Sequence, residues 1–187
     1  MKKIVSLFIL LFVGSANATV IVDQIGDADG FGIGVTADST FNYSDIGSGD
    51  GDGTDVWFYG DQTFTHSYDL SGLGTITSAS LELFTGGQGW TGLSSLYIDG
   101  SFVGQLTDGD INANIARLDV FDLISFSSLL DGASTLTIDT TSVNDGWVLD
   151  YSRLTISDDA ASVPEPTSLA LLGLGLAGIG FSRKKKK

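Results

Sequence analysis

The segment Thr77–Phe84, TSASLELF, alternates without a break: Ala79, Leu81 and Leu83 fall on one side of an extended chain, Ser78, Ser80 and Glu82 on the other. Successive side chains of a strand point to opposite faces, so this pattern makes a strand with one buried face. From Thr19 to Ser157, short β-branched and aromatic runs recur between clusters of Gly, Ser, Thr and Asp, which is the pattern of strands and turns. In SSLYIDGSFVGQL, residues 94–106, Asp99 and Gly100 separate two apolar runs. That pair suits a type I′ hairpin turn, whose central residues need positive φ. Further strands are expected at Thr19–Ile25, Phe31–Thr36, Asp55–Tyr59, Phe64–Leu70, Arg117–Leu123, Ser134–Asp139 and Gly146–Ser157. In the last, Trp147, Leu149 and Tyr151 share a face at period two, and a bulge near Ser152 returns Leu154 and Ile156 to the core. Ile124–Leu130 fits a helical turn and a half. Nine or ten short strands and no internal repeat predict an all-β fold, an antiparallel β-sandwich of jelly-roll type.

The two ends differ from this body. Met1, Lys2 and Lys3 precede an apolar stretch from Ile4 to Val13 and an Ala16, Asn17, Ala18 site, the order of a secretory signal peptide cleaved after Ala18. Residues 158–162 read as a linker after the body at 19–157, and the region around it holds both prolines of the chain. At the C-terminus, Leu169–Phe181 is a run of 13 apolar residues, and the charge-free stretch Thr167–Ser182 counts 16. Sixteen helical residues span roughly 24 Å, short of a hydrocarbon core of about 30 Å, so this predicts a short transmembrane helix that anchors marginally. The basic cluster Arg183, Lys184, Lys185, Lys186 and Lys187 would hold its end in the cytoplasm.

Seven of the nine basic residues lie in these ends. Thr19–Pro166 therefore keeps only Arg117 and Arg153 against all 23 acids, a net charge of −21 with no lysine. Nucleic-acid affinity comes chiefly from Lys and Arg displacing counterions, so such a body excludes nucleic acid as a partner. About 148 residues suffice for one domain with a real core. There is no cysteine, so the exported body must be held by packing, and by cations that relieve its self-repulsion.

Gly173, Gly175 and Gly178 match G-x-G-x-x-G, but no strand precedes them and no ribose-binding acid follows, so the dinucleotide reading fails. They fit a smooth helix face in lipid instead. Val163, Pro164, Glu165 and Pro166, followed by the short apolar helix and the basic cluster, resemble the PEP-CTERM sorting signal of exosortase substrates in Gram-negative bacteria that make extracellular polysaccharide. The family's basic cluster is often Arg-rich, whereas here it is one Arg and four Lys. The resemblance implies Sec export and a transient inner-membrane anchor. It further implies recognition of Pro164, Glu165 and Pro166 by an exosortase, and release to the cell surface or matrix. The stretches IGDADGFG, DLSGLGTITSASLEL, LYIDGSFVGQL and DGWVLDYSRLTI resemble β-sandwich ectodomains common in this class, most of which have no assigned activity, and the resemblance implies no catalytic residues.

Asp45, Asp50, Asp52 and Asp55 lie within eleven residues with glycines between them, a carboxylate-rich loop of the kind Ca²⁺ uses for its six to eight oxygen ligands. The EF-hand pattern is absent, since position six from Asp50 is Asp55 rather than Gly, and a solvated turn is the other reading. Asp27 and Asp29 form a weaker candidate. Trp57 and Trp147 fit a core, while Trp90, in GGQGWTG, is the candidate for stacking on a sugar. The single histidine, His66, sits in a strand-like run with no nucleophile signature. With no cysteine and one histidine a zinc site is not expected. The expected function is a structural or adhesive surface protein associated with exopolysaccharide and not an enzyme. The alternatives are a calcium-dependent carbohydrate-binding module and, more remotely, a polysaccharide hydrolase.

Overall fold

Two antiparallel sheets face each other across the apolar residues that the alternating patterns point inward. The computed structural model describes residues 18–46, 52–110, 113–125 and 131–158. The signal segment up to residue 17, Asp50, the 126–130 part of the expected helical turn, and the tail from 159, with Pro164, Glu165, Pro166 and Arg183 to Lys187, lie outside the described residues.

The described strands are β1 (Val20–Gly26), β2 (Thr40–Phe41), β3 (Trp57–Tyr59), β4 (Gln62–Ser67), β5 (Ile76–Gly86), β6 (Ser95–Ile98), β7 (Ser101–Gln105), β8 (Asn114–Asp122), β9 (Ala133–Asp139) and β10 (Gly146–Asp158). One sheet runs β1-β10-β5-β8-β2, with β3 also paired to β10; the other runs β4-β9-β6-β7. All pairings are antiparallel. The fold is the all-β antiparallel sandwich that the alternation predicts. In the β6–β7 hairpin Asp99 and Gly100 take φ of 47° and 76°, the two positive values of a type I′ turn.

The main core lies between the sheets. Ala79, Leu81 and Leu83 of β5 and Trp147, Leu149, Leu154 and Ile156 of β10 meet Leu96, Ile98, Leu136 and Ile138 of the other sheet. A second, aromatic core of Phe31, Phe41, Ile46, Phe84, Ala116 and Val148 forms separately, with Trp57 and Tyr151 packed against it. Phe31 stacks on Phe84 with ring centroids 5.1 Å apart.

Two local expectations differ from the structure. Phe31–Thr36 is no strand: Gly30–Gly34 makes a wide turn closed by Gly34 N–H on the Asp29 carbonyl and Val35 N–H on the Gly30 carbonyl. Burial of Phe31 in the aromatic core outweighs its strand propensity, and holds it at a φ of 60° that a bulky residue rarely adopts. The bulge in β10 falls between Leu149 and Tyr151 rather than near Ser152. Asp150 is the extra residue, so Tyr151 turns away from Trp147 and Leu149 and packs on the aromatic core.

Candidate functional site

The bulge at Asp150 also marks where β10 changes partner along one edge. Its first residues, Gly146–Val148, pair with β3, and Tyr151–Ser157 pair with β1. In the gap between, Asp55 N–H donates to the Leu149 carbonyl at 2.9 Å. Asp150, 1% exposed, accepts N–H bonds from Gly30 (3.0 Å) and Phe31 (2.9 Å) on one carboxylate oxygen. The 27–34 turn thereby hangs on β10. Asp29 caps it by accepting from Gly32 N–H at 2.5 Å, and Asp27 accepts from Asp29 N–H at 3.2 Å. On the other side, Asp52 accepts from the Thr54 N–H and hydroxyl at 2.8 and 2.7 Å, a local turn that delivers Asp55 into the gap.

The result is one cluster: Asp27, Asp29, Asp55 and Asp150 each place a carboxylate oxygen within 4.8 Å of the others. Asp55 is the most demanding member. It is 2% exposed, and neither of its carboxylate oxygens accepts a hydrogen bond. A buried carboxylate without partners carries a desolvation cost that the rest of the structure does not repay. Burial first, and then the charges of Asp150, Asp29, Asp27 and Asp52, push the Asp55 pKa up to about 8. Burial also raises Asp150, against the lowering effect of the Phe31, Gly30 and Asp29 N–H groups. Among the described residues no side-chain cation is committed to these four carboxyl groups. The body has no lysine, Arg117 pairs with Asp38, and Arg153 pairs with Glu82 and Gln24. Such a cluster of acidic residues can bind a metal ion. With oxygen donors alone it suits a hard cation, Ca²⁺ before Zn²⁺.

The structure thus joins Asp55 of the first sequence candidate with both residues of the second. Asp45 is elsewhere, its carboxylate accepting from the Asn42 N–H and side-chain amide at 3.1 and 2.8 Å. Asp52 supports the turn beside the cluster, and Asp50 is outside the described residues. Asp150 was missed because it reads as one residue of an apolar strand; the signal is a lone acid inside the run Trp147–Tyr151. Trp147 is fully buried and Trp57 half-buried, its ring stacked on Tyr43 at 4.7 Å. Trp90 is 67% exposed in the β5–β6 loop.

His66 takes part in an unforeseen arrangement. One ring nitrogen lies 2.7 Å from Asp23 of β1, and the other 2.8 Å from the hydroxyl of Ser152 on β10. The order of groups is that of a Ser-His-Asp relay, but its setting is structural. Ser152 is fully buried, and its strand is paired on both edges, to Ile25 and to Leu83, so its backbone belongs to the sheet. A nucleophile needs substrate access, and a fully buried Ser152 offers none in this structure. The trio instead ties β4 of one sheet to β1 and β10 of the other.

The comparisons bear mainly on the tail. Residues 162–184 match the PEP-CTERM protein-sorting motif. The tail is a PEP-CTERM sorting signal. It marks the protein as an exported exosortase substrate, membrane-anchored and then sorted to the surface. The match spans 23 of 187 residues and leaves the body aside. No curated protein matches the chain. Among solved structures, a β-porphyranase of glycoside hydrolase family 86 from the human gut bacterium Bacteroides plebeius aligns at 17% identity and TM-score 0.39, over 56% of this chain and 20% of that one. Dimeric latent PorU from Porphyromonas gingivalis aligns at 9% identity and TM-score 0.42, over 85% of this chain and 16% of that one. CBM35 from Cellvibrio japonicus Abf62 aligns at 14% identity and TM-score 0.34, over 76% of this chain and 100% of that one. The alignment thus spans about a fifth of the glycoside hydrolase chain, and none of these likenesses bears on activity.

Proposed function

We propose that this is a structural or adhesive protein of the bacterial surface or extracellular matrix, working among exopolysaccharides, with Ca²⁺ at Asp27, Asp29, Asp55 and Asp150 completing its sandwich. The observation that carries the calcium reading is the buried Asp55 carboxylate, which has no hydrogen-bond partner and lies among three other carboxylates. An ion there would join the 27–34 turn, the segment before β3 and the bulge of β10, three pieces far apart in sequence. In this reading the exosortase recognises Pro164, Glu165 and Pro166, the cluster Arg183 to Lys187 stops transfer, and the tail is removed. The surface role rests on that sorting and on the −21 charge of the body.

Thermal unfolding of the full chain in mild detergent, in excess Ca²⁺ and in chelator, tests the calcium reading. At a free Ca²⁺ level a hundredfold above Kd, binding adds about 2.7 kcal/mol. That corresponds to a melting-temperature rise of roughly 5–10 °C for a domain of this size. Asp55→Asn should lose most of that rise. Equal melting temperatures in Ca²⁺ and chelator overturn the reading, and so does an undiminished rise in Asp55→Asn.

A second reading, carbohydrate binding, is favoured by Trp90, whose indole is mostly exposed on a loop rather than packed in either core. Trp90→Ala should then lower retention on matrix polysaccharide without changing the melting temperature. Unaltered retention removes Trp90 from that role.

A further inference from the structure

The two residues that bound the compact body, Thr19 and Asp158, close on one another. β1 and β10 pair antiparallel with Val20 opposite Ser157, which brings Thr19 beside Asp158. Two bonds join them: Asp158 N–H donates to the Thr19 carbonyl at 3.2 Å, and Thr19 N–H donates to Oδ1 of Asp158 at 2.6 Å. The second carboxylate oxygen, Oδ2, accepts from Gly74 N–H at 2.8 Å, just ahead of β5. A register shift between Ser157 and Asp158 sets Asp158 opposite Ile76 at this corner. The Gly74 N–H and then the Thr19 N–H hold the Asp158 carboxyl below its usual range, so it is a charged acceptor.

Thr19 is also the residue that follows the cleavage site read after Ala18. In the uncut chain its nitrogen is a neutral amide with one N–H. Hydrolysis of the Ala18–Thr19 bond gives the hydroxyl of water to the Ala18 carbonyl carbon and a hydrogen to the Thr19 nitrogen. The α-amino group so formed takes up a proton below its ordinary pKa of about 7.7–8.0. The atom already held against Asp158 thus gains a positive charge and two further N–H donors. A bond between two charged partners is shorter and stronger than one with a neutral donor. Neither arginine of the body is set to compete, because Arg117 pairs with Asp38 and Arg153 with Glu82.

We propose that removal of the signal peptide after Ala18 completes a charged clasp between the new α-ammonium group of Thr19 and the carboxylate of Asp158, so that the exported body is closed more tightly than its precursor. The clasp ties the start of β1 to the last residue of β10, and through Gly74 to the segment before β5. It sits where the body gives way to the chain that leads to the sorting tail. A cut at an earlier residue would leave the amide in place and carry the charge away from Asp158. The clasp is independent of the Asp55 cluster, since Asp158 lies eight residues past Asp150, about 27 Å along an extended strand. Pairing raises the folded pKa of the amine above its unfolded value. Its support is therefore complete below about 7.7 and is lost as pH rises through the folded pKa.

The test compares two forms of the chain ending at Lys187, in mild detergent and saturating Ca²⁺. One begins at Thr19, and the other retains Ala16, Asn17 and Ala18. At pH 6.5 the Thr19 form should melt higher by roughly 1–4 °C. That difference should disappear above the pKa of the amine, and at every pH when both forms carry Asp158→Asn. NMR titration should place the Thr19 amine pKa above about 8.0 in the wild-type Thr19 form and within the ordinary range in Asp158→Asn. Mass spectrometry of the exported protein should find Thr19 as its first residue. Equal melting of the two wild-type forms with an ordinary amine pKa would show that Asp158 only caps the strand ends, and overturns the proposal. A mature chain that begins at another residue overturns it as well. Either failure leaves the Ca²⁺-dependent rise in melting temperature untouched, so it is distinct from a failure of the Asp55 cluster.

Discussion

Asp55 and His66 are buried titratable side chains with opposite pH behaviour. Asp55 has its folded pKa raised to about 8 from an ordinary 3.8. In chelator it therefore supports stability fully below about 3.8 and loses that support as pH rises toward 8. Replacing it by a neutral isostere removes the repulsion. Asp55→Asn should melt a few degrees above wild type in chelator at pH 8, while gaining less from Ca²⁺; a lower melting temperature in chelator would contradict this. His66 is held below its usual 6.5 by burial, against the opposing pull of Asp23. Its contribution is complete above pH 6.5 and declines as pH falls below that value, because the unfolded chain then takes up the proton more readily. In saturating Ca²⁺, urea unfolding at pH 7.5 and 5.5 should show wild type losing up to about 1.4 kcal/mol per pH unit more than His66→Gln. Parallel pH profiles would sink this account.

At the scale of elements, β5 carries the clearest prediction because its two faces have different fates. Leu83 is fully buried between the sheets, and Leu83→Ala should cost about 2–5 kcal/mol, read as a lowered urea midpoint. Val120 on the neighbouring β8 is exposed, and Val120→Ala should stay within about 0.5 kcal/mol. A reversal of that order would mean that the sandwich faces are assigned wrongly. β5 was legible because Ala79, Leu81 and Leu83 alternate with polar residues, and the β6–β7 hairpin because Asp99-Gly100 has specific turn chemistry. The Gly30–Gly34 turn was not legible. Phe31 looks like a strand residue, and only Phe84 and Phe41, 53 and 10 positions away in sequence, make its strained backbone worthwhile. The bulge at Asp150 was foreseen in kind but misplaced by two residues, since its position depends on β5, β3 and β1 together.

For the whole molecule, charge and processing dominate. A body at −21 repels itself, and screening shortens that repulsion to about 10 Å at 0.1 M salt. Raising sodium chloride from 10 to 150 mM in chelator should therefore raise the melting temperature, and by less once Ca²⁺ is bound; no response to salt would contradict this. Mass spectrometry of protein recovered from the cell surface should find the C-terminal Lys187 missing, and an intact tail there would argue against exosortase processing. The sequence by itself determined the all-β class, the hairpin turn, the acidic charge of the body, and the sorting signal. Each of these is written in neighbouring residues or in a sum over the chain. Only the tertiary structure decided which acids meet. Asp55 joins Asp27, Asp29 and Asp150 rather than its neighbour Asp45, and His66 joins Asp23 and Ser152, because strand pairing brings together residues that are remote in the chain. A carboxylate cluster made by such pairing has no spacing to be read in advance.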